Sequence, residues 1–158
     1  MKPKSRDGAV VRIPPPLVFV AAVALGILLQ RIALPLPLGL PESVRYAGAI
    51  GAFAFGFGFM VIAWALFKRS GQDPRPWTST PEIVAKGVYQ LSRNPMYLGM
   101  ALLQGGLGLA QASGWILLLL PPAMLVIDRF AIRPEEAYLE EKFGSAYREY
   151  KASVRRWI

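Results

Sequence analysis

Four long apolar stretches divide this chain, and their lengths indicate membrane-crossing helices rather than the core of a soluble domain. They cover residues 15–34, 44–67, 95–112 and 115–132. A helix needs about 20 consecutive apolar residues to cross the hydrocarbon core of a bilayer. The chain is 54% hydrophobic, whereas soluble domains reach about 45–50% even with glycine counted. We therefore predict an all-α, integral membrane domain over residues 1–158 with four transmembrane helices.

The segments outside these stretches are short, apart from residues 68–94 and the C-terminal part of the chain. Prolines at 35, 37 and 41 end the first helix, and Pro121 and Pro122 are expected to kink the fourth. Pro134 suits the first turn of a last helix, predicted over residues 134–156. Apolar side chains recur there every three or four residues, and charged side chains cover the other face. This amphipathic helix is too charged to cross the bilayer, so we expect it beside the membrane or over the cytosolic end of the bundle.

Basic residues predict the orientation in the membrane, because they concentrate on the cytoplasmic side. Of the 18 lysines and arginines, sixteen lie in the N-terminal tail, in residues 68–94 or after residue 128. The other two, Arg31 and Arg45, flank the first short loop. Both termini and the 68–94 loop are therefore predicted to be cytoplasmic, in the inner or plasma membrane of a prokaryote. The net charge of +8 fits an anionic membrane surface better than a nucleic acid.

The chain contains neither cysteine nor histidine. Disulfides, thiolate catalysis and cysteine-based metal sites are excluded, and so is the usual general base near neutral pH. We therefore predict no metal site, and chemistry must rest on carboxylates, arginine, lysine, tyrosine, asparagine or backbone groups.

A first block of residues that could carry chemistry is Gly-Val-Tyr-Gln-Leu-Ser-Arg-Asn-Pro-Met-Tyr-Leu-Gly at 87–99. Pro95 favours a helix start, with Asn94 as a possible N-cap. Gly87 and Gly99 permit close backbone approach. The simplest interpretation is an ordinary helix start, with Arg93 reaching toward the interface; the alternative is a ligand site.

The second block covers residues 133–158. Glu135 and Glu136 lie in the first turn of the predicted last helix, where acids offset the helix dipole. Simple capping is one interpretation; the other is that one carboxylate faces a buried site and binds a cationic group. Arg129 and Arg133 precede them by one to two turns and could hold an anion, or merely anchor the fourth helix at the interface.

Together the two blocks resemble the isoprenylcysteine carboxyl methyltransferase family of integral-membrane enzymes and the related phospholipid N-methyltransferases. The first family pattern is Gly-x-Tyr-x-x-x-Arg-His/Asn-Pro-x-Tyr-x-Gly. The second is Glu-Glu-x-x-Leu followed by Phe-Gly-x-x-Tyr-x-x-Tyr-x-x-x-Val-x-Arg. The resemblance covers roughly residues 68–158, and the first two helices match only in character. The matching residues are Gly87, Tyr89, Arg93, Asn94, Pro95, Tyr97, Gly99, Glu135, Glu136, Leu139, Phe143, Gly144, Tyr147, Tyr150, Val154 and Arg156.

The resemblance implies S-adenosylmethionine as cofactor, bound at the cytosolic ends of the last two membrane helices under the C-terminal helix. Carboxylates suit its ammonium and sulfonium groups. Many relatives have histidine where Asn94 stands, so a histidine base is excluded here while cofactor binding is not. The cofactor-binding residues implied are Tyr89, Arg93, Asn94, Tyr97, Gly99, Glu135 and Glu136. The candidates for a catalytic role toward the acceptor are Arg129, Arg133 and Glu136.

The function expected is S-adenosylmethionine-dependent methyl transfer to a lipophilic small molecule or lipid at the cytosolic membrane face. Methyl transfer needs alignment and desolvation more than acid–base groups, so the missing histidine is no objection. The alternatives are a membrane reductase of related architecture that uses NADPH, and a non-catalytic membrane scaffold or sensor. Short polar loops favour a small acceptor bearing a carboxylate, an amine or a similar head group.

Overall fold

The structure, a computed structural model, describes residues 9, 11, 13–71, 73, 75 and 80–158. It is helical, which confirms the predicted all-α class, and the described ranges contain no β-strand. A 3-10 turn, Gly87–Gln90, precedes the third helix, and a π-helical turn, Asp128–Ile132, joins the fifth helix to the sixth. The α-helices are α1 (Pro15–Ile32), α2 (Glu42–Arg69), α3 (Pro95–Ala110), α4 (Gly114–Leu118), α5 (Leu120–Ile127), α6 (Arg133–Phe143) and α7 (Ser145–Ser153).

Three helical stretches of the described chain are long and apolar enough to cross a membrane. They are α1, α2 and the run Gly114–Phe143, which joins α4, α5, the π-helical turn and α6. The other predicted span corresponds to α3, which has 16 residues and is slightly shorter than the ~17–25 residues usual for a bilayer-crossing helix. The described chain therefore contains three candidate membrane-spanning helices.

Two helices differ from the predicted ones. The fourth predicted span is interrupted at Leu119, because Pro121 and Pro122 open α5 and have no N–H to donate to the preceding turn. The predicted C-terminal helix, 134–156, is wrong as a single helix: it divides into α6 and α7 at Gly144 and ends at Ser153. Gly144 has φ +56°, a left-handed conformation that glycine adopts readily and that ends α6.

Helix α3 lies at the centre of the bundle. It packs along α2 on one side and against α1, α4 and α5 on another. A Cβ atom on Gly99 would lie 2.7 Å from the backbone oxygen of Gly56 and 2.6 Å from Cγ of Met60. The two glycines therefore let α2 and α3 approach more closely than larger side chains would allow.

The two ends of the bundle differ. One end carries residues 33–41 and 111–113 and is here called the loop end. There Gly114 N donates to Leu36 O at 2.8 Å, and Trp115 Nε1 donates to Leu34 O at 2.7 Å. Arg45 donates to the last carbonyls of α3. These bonds close the loop end. The opposite end, here the tail end, holds the start of α3 together with α6 and α7. Helices α1 and α2 make no extended contact with each other in the described part of the chain.

Candidate functional site

At the tail end of the bundle, residues 87–95 form a tight corner that leads into α3. Gly87 has φ +57°, which turns the chain into the 3-10 turn and buries Tyr89. Asn94 has an extended φ of −127°, as expected before a proline. Its side chain does not cap α3 but donates to the backbone oxygen of Arg156 at 3.0 Å. The corner is therefore held by the C-terminal tail.

The two adjacent carboxylates of α6 have different partners. The Tyr97 hydroxyl donates to Oε1 of Glu135 at 2.5 Å. Among the described residues, the hydrogen-bond partner of Glu135 is therefore a neutral hydroxyl group. Glu136 is 7% exposed and receives two guanidinium groups. Nη2 of Arg93 lies 3.2 Å from its Oε1, and Nη2 of Arg156 lies 2.6 Å from its Oε2. Glu136 is thus neutralised within the protein, whereas Glu135 has no cationic partner in the described chain.

Arg93 has the converse arrangement. Its side chain is 8% exposed, and its Nε and Nη1 groups are buried without a hydrogen-bond acceptor among the described residues. The Tyr147 hydroxyl lies beside the guanidinium group but does not satisfy these two donors. Buried donors without a partner cost about 1–3 kcal/mol each, and a ligand with an anionic group would relieve that cost.

These groups line one cavity of about 310 Å³ at the tail end. Such a volume is at the lower end of the ~300–1,000 Å³ typical of small-molecule sites. Glu135, Tyr97 and Arg93 form part of its polar wall. A large part of its apolar wall comes from three different helices, α1, α2 and α3, and includes Pro15, Pro16, Trp64, Phe67, Met96 and Met100.

The tyrosines of α7 close the cavity from the C-terminal side. The Tyr150 hydroxyl donates to the backbone oxygen of Tyr89 at 2.7 Å. Burial raises the pKa of Tyr150 to about 12 and raises that of Tyr89 further. Burial also raises the pKa of Tyr147, although Arg93 opposes the shift. Burial therefore favours the neutral form of all three phenols.

The structure brings together six of the residues predicted from the sequence and leaves three elsewhere. Gly99 lies in the interface between α2 and α3 rather than on the cavity wall. Arg129 and Arg133 are exposed and lie outside the cavity, and Nε of Arg133 pairs with Oδ2 of Asp128 at 2.8 Å. The six residues that line the cavity are Tyr89, Arg93, Asn94, Tyr97, Glu135 and Glu136.

Comparison with known proteins decides the family. The sequence model for phospholipid methyltransferases matches residues 44–146, which include most of α2, the corner, α3 and the whole of α6. The chain belongs to the phospholipid methyltransferase family. This membership confirms the resemblance found in the sequence motifs.

Two relatives are similar to parts of this phospholipid methyltransferase family member. An uncharacterized protein of Haemophilus influenzae is 45% identical over 65 residues, which are 40% of this chain and all of that protein. The protein-S-isoprenylcysteine O-methyltransferase of Saccharomyces cerevisiae is 42% identical over 80 residues, 46% of this chain and 30% of the yeast protein. No solved structure matches. The family and the yeast relative point to a membrane methyltransferase.

Some residues of the site in this phospholipid methyltransferase family member were not assigned a role from the sequence. Arg156 matches the last position of the second motif, and this match was the sequence signal for a role at the site. Asp128 accepts from Arg156 Nη1 at 2.8 Å and belongs to no motif. Trp64, Met96 and Met100 resemble ordinary membrane-helix residues, and only the packing of α1, α2 and α3 places them at one cavity.

Proposed function

We propose that this protein transfers a methyl group from S-adenosylmethionine to a lipophilic acceptor at the cytosolic face of the membrane. The observation that carries the proposal is the pair of unmatched groups in the cavity. Glu135 lacks a cationic partner and Arg93 has two buried donors without an acceptor in the described chain. A ligand that satisfies both must carry a cation and an anion, as the α-amino acid end of S-adenosylmethionine does.

In this arrangement Glu135 holds the ammonium group and Arg93 the carboxylate. Tyr97 fixes the Glu135 carboxylate through its hydroxyl. Tyr89 and Asn94 line the same cavity and would contact the rest of the cofactor, while Gly99 acts indirectly by allowing α3 to pack close to α2. When bound, the cofactor supplies an electrophilic methyl group on a sulfonium sulfur. The neutral tyrosines and apolar side chains around it exclude water, which strengthens the electrostatic contacts.

The acceptor would enter sideways from the bilayer. The cavity's apolar wall combines the start of α1, the end of α2 and the first turns of α3, and α1 and α2 make no extended contact. A lipid tail could lie over Met96 and Met100, whose flexible side chains adapt to irregular shapes. The glycines of α2 and the Pro121–Pro122 interruption do not line the cavity. The route proposed is therefore the gap between α1 and α2.

For this chemistry α3 would serve as the fourth membrane helix, slightly short but central to the bundle, and the tail end would face the cytoplasm. Arg129 and Arg133 are proposed to orient an anionic head group outside the cavity, at the depth of the leaflet surface. Glu136 would act on the acceptor only through the residues it holds, since its carboxylate is already paired.

Cysteine labelling tests this orientation in a chain that has no native cysteine. Ile158→Cys should react with an impermeant reagent only from the cytoplasmic side. Gly39→Cys, at an exposed position with no atom within 4 Å of an added Cβ, should react only from the opposite side. Labelling of both positions from one side, or the reverse pattern, would contradict the proposed topology.

Calorimetric titration of the purified protein in nanodiscs tests the cofactor. We expect saturable binding of S-adenosylmethionine and no binding of NADPH under the same conditions. Binding of NADPH alone would indicate a reductase, and binding of neither would indicate a scaffold or sensor. Either result would overturn the proposal.

A further inference from the structure

We propose that Arg156 is a positioning residue: it occupies both oxygens of Glu136 and so keeps two N–H groups of Arg93 available for the cofactor's carboxylate. This inference rests on the proposed function. It concerns how the polar wall of the cavity is set, and it assigns Arg156 no contact with cofactor or acceptor.

The contacts of Arg156 join three parts of the site: α6, the π-helical turn and the corner at residues 87–95. Its Nε lies 3.1 Å from Oε1 of Glu136 and its Nη2 lies 2.6 Å from Oε2, a two-point contact with the carboxylate. Its Nη1 lies 2.8 Å from Oδ1 of Asp128, in the π-helical turn. Its backbone oxygen accepts from Ser92 Oγ at 3.2 Å and from Asn94 Nδ2 at 3.0 Å. Such a planar, two-point arrangement is specific to arginine.

The C-terminal tail is held in register at this point. Arg93 N donates to the backbone oxygen of Arg155 at 3.0 Å. The hydroxyl of Ser92, which is fully buried, donates to the backbone oxygen of Arg156. Trp157 packs against the core formed by α1, α3 and α5. The guanidinium group of Arg156 is therefore delivered to Glu136 by a fixed backbone, even though its side chain is 31% exposed.

The consequence for Arg93 follows from the number of acceptors on Glu136. Because Arg156 contacts both carboxylate oxygens, Arg93 makes one contact, through Nη2. Without Arg156, Glu136 could take the Arg93 guanidinium group in a two-point contact of its own, which is the favoured geometry of an arginine–carboxylate pair. That contact would use one of the donors that are now unpaired and turn the group away from the cavity.

The test compares two ligands that differ only in the group Arg93 is proposed to bind. S-adenosylmethionine and its decarboxylated form are titrated calorimetrically against the full-length protein in nanodiscs. Wild-type protein should prefer the carboxylated ligand by about tenfold or more, because a hydrogen bond to a charged group is lost with the carboxylate. No preference in wild-type protein would overturn the inference together with the proposed recognition of the amino acid end, because Arg93 would then bind no carboxylate.

Two variants then test Arg156 itself. Arg156→Gln should reduce the preference to about threefold or less, while binding of the decarboxylated ligand stays within about twofold of wild type. Arg156→Lys keeps the charge but loses the two-point contact, so it should give an intermediate preference. Arg155→Gln is the matched control, because the Arg155 side chain is exposed and only its backbone oxygen joins the network; it should behave as wild type.

Two results with the variants would also overturn the inference. One is that both Arg156 variants prefer S-adenosylmethionine over its decarboxylated form as strongly as wild type does. The other is an equal loss of affinity for both ligands in both variants, which would mean that Arg156 only supports the fold.

Discussion

Replacing Glu135 with glutamine separates the roles of two neighbouring acids. The amide keeps the size of the side chain and can still accept the hydrogen bond from the Tyr97 hydroxyl, so the fold should be retained. What is lost is the carboxylate that faces the cavity without a cationic partner in the described chain and that a bound ammonium group would hold in its charged form. A hydrogen bond to a charged group contributes roughly 1.5–3 kcal/mol. Affinity for S-adenosylmethionine should therefore fall by roughly tenfold to hundredfold.

Titration with two ligands makes this prediction specific. 5′-Methylthioadenosine has neither the amino acid end nor the sulfonium charge, so Glu135→Gln should leave its affinity unchanged. Glu141→Gln, on the exposed face of the same helix, is the matched control and should bind both ligands as wild type does. The reasoning would be refuted if wild type and Glu135→Gln bound S-adenosylmethionine with equal affinity. It would also be refuted if Glu135→Gln lost affinity for both ligands to the same extent.

Glu136→Gln should behave differently from Glu135→Gln, although the two residues are adjacent. It removes the partner of Arg93, and both side chains of that pair are less than one-tenth exposed. Breaking a buried ion pair costs about 3–5 kcal/mol, so the main effect should be a lower thermal unfolding temperature. An unfolding temperature equal to that of wild type would show that the ion-pair network does not stabilise the tail end.

Three further predictions concern other parts of the site. Tyr97→Phe removes the hydroxyl that orients Glu135, so affinity for S-adenosylmethionine should fall about twofold to tenfold by calorimetry; unchanged affinity would contradict an orienting role. Gly99→Ala would place Cβ 2.7 Å from the Gly56 oxygen and should lower stability by about 1–3 kcal/mol. Gly58→Ala, where an added Cβ meets nothing within 4 Å, should leave the stability unchanged. Equal unfolding temperatures of the two variants would contradict the close packing of α2 and α3. Arg129→Ala and Arg133→Ala should raise the KM for an anionic acceptor without changing cofactor affinity; wild-type turnover and KM in both would make these arginines membrane anchors.

Much of the fold could be predicted from the sequence because apolar length and proline positions are local signals. The predicted first and second spans, 15–34 and 44–67, correspond to α1 and α2 with small shifts at their ends. The division of the C-terminal helix was missed, since Gly144 lies within a regular amphipathic pattern and its left-handed conformation shows only in the structure.

The site was predicted less completely. Motif matching placed Arg93, Asn94 and Glu135 together, and they do line one cavity. It could not distinguish Glu135 from Glu136, because the two are identical in type and adjacent, and only packing decides which one meets Arg156. The gap between α1 and α2 was also beyond the sequence, because it depends on both helices packing around α3.

Methyl transfer from S-adenosylmethionine with a labelled methyl group tests the central claim most directly. The purified protein in nanodiscs would be supplied with membrane lipid extract, and label would be counted in the organic phase. We predict transfer of label into a lipophilic product by wild-type protein and by Glu141→Gln, with strong loss in Glu135→Gln at low cofactor concentration. A wild-type protein that binds S-adenosylmethionine yet transfers no label to any lipid fraction would contradict the account.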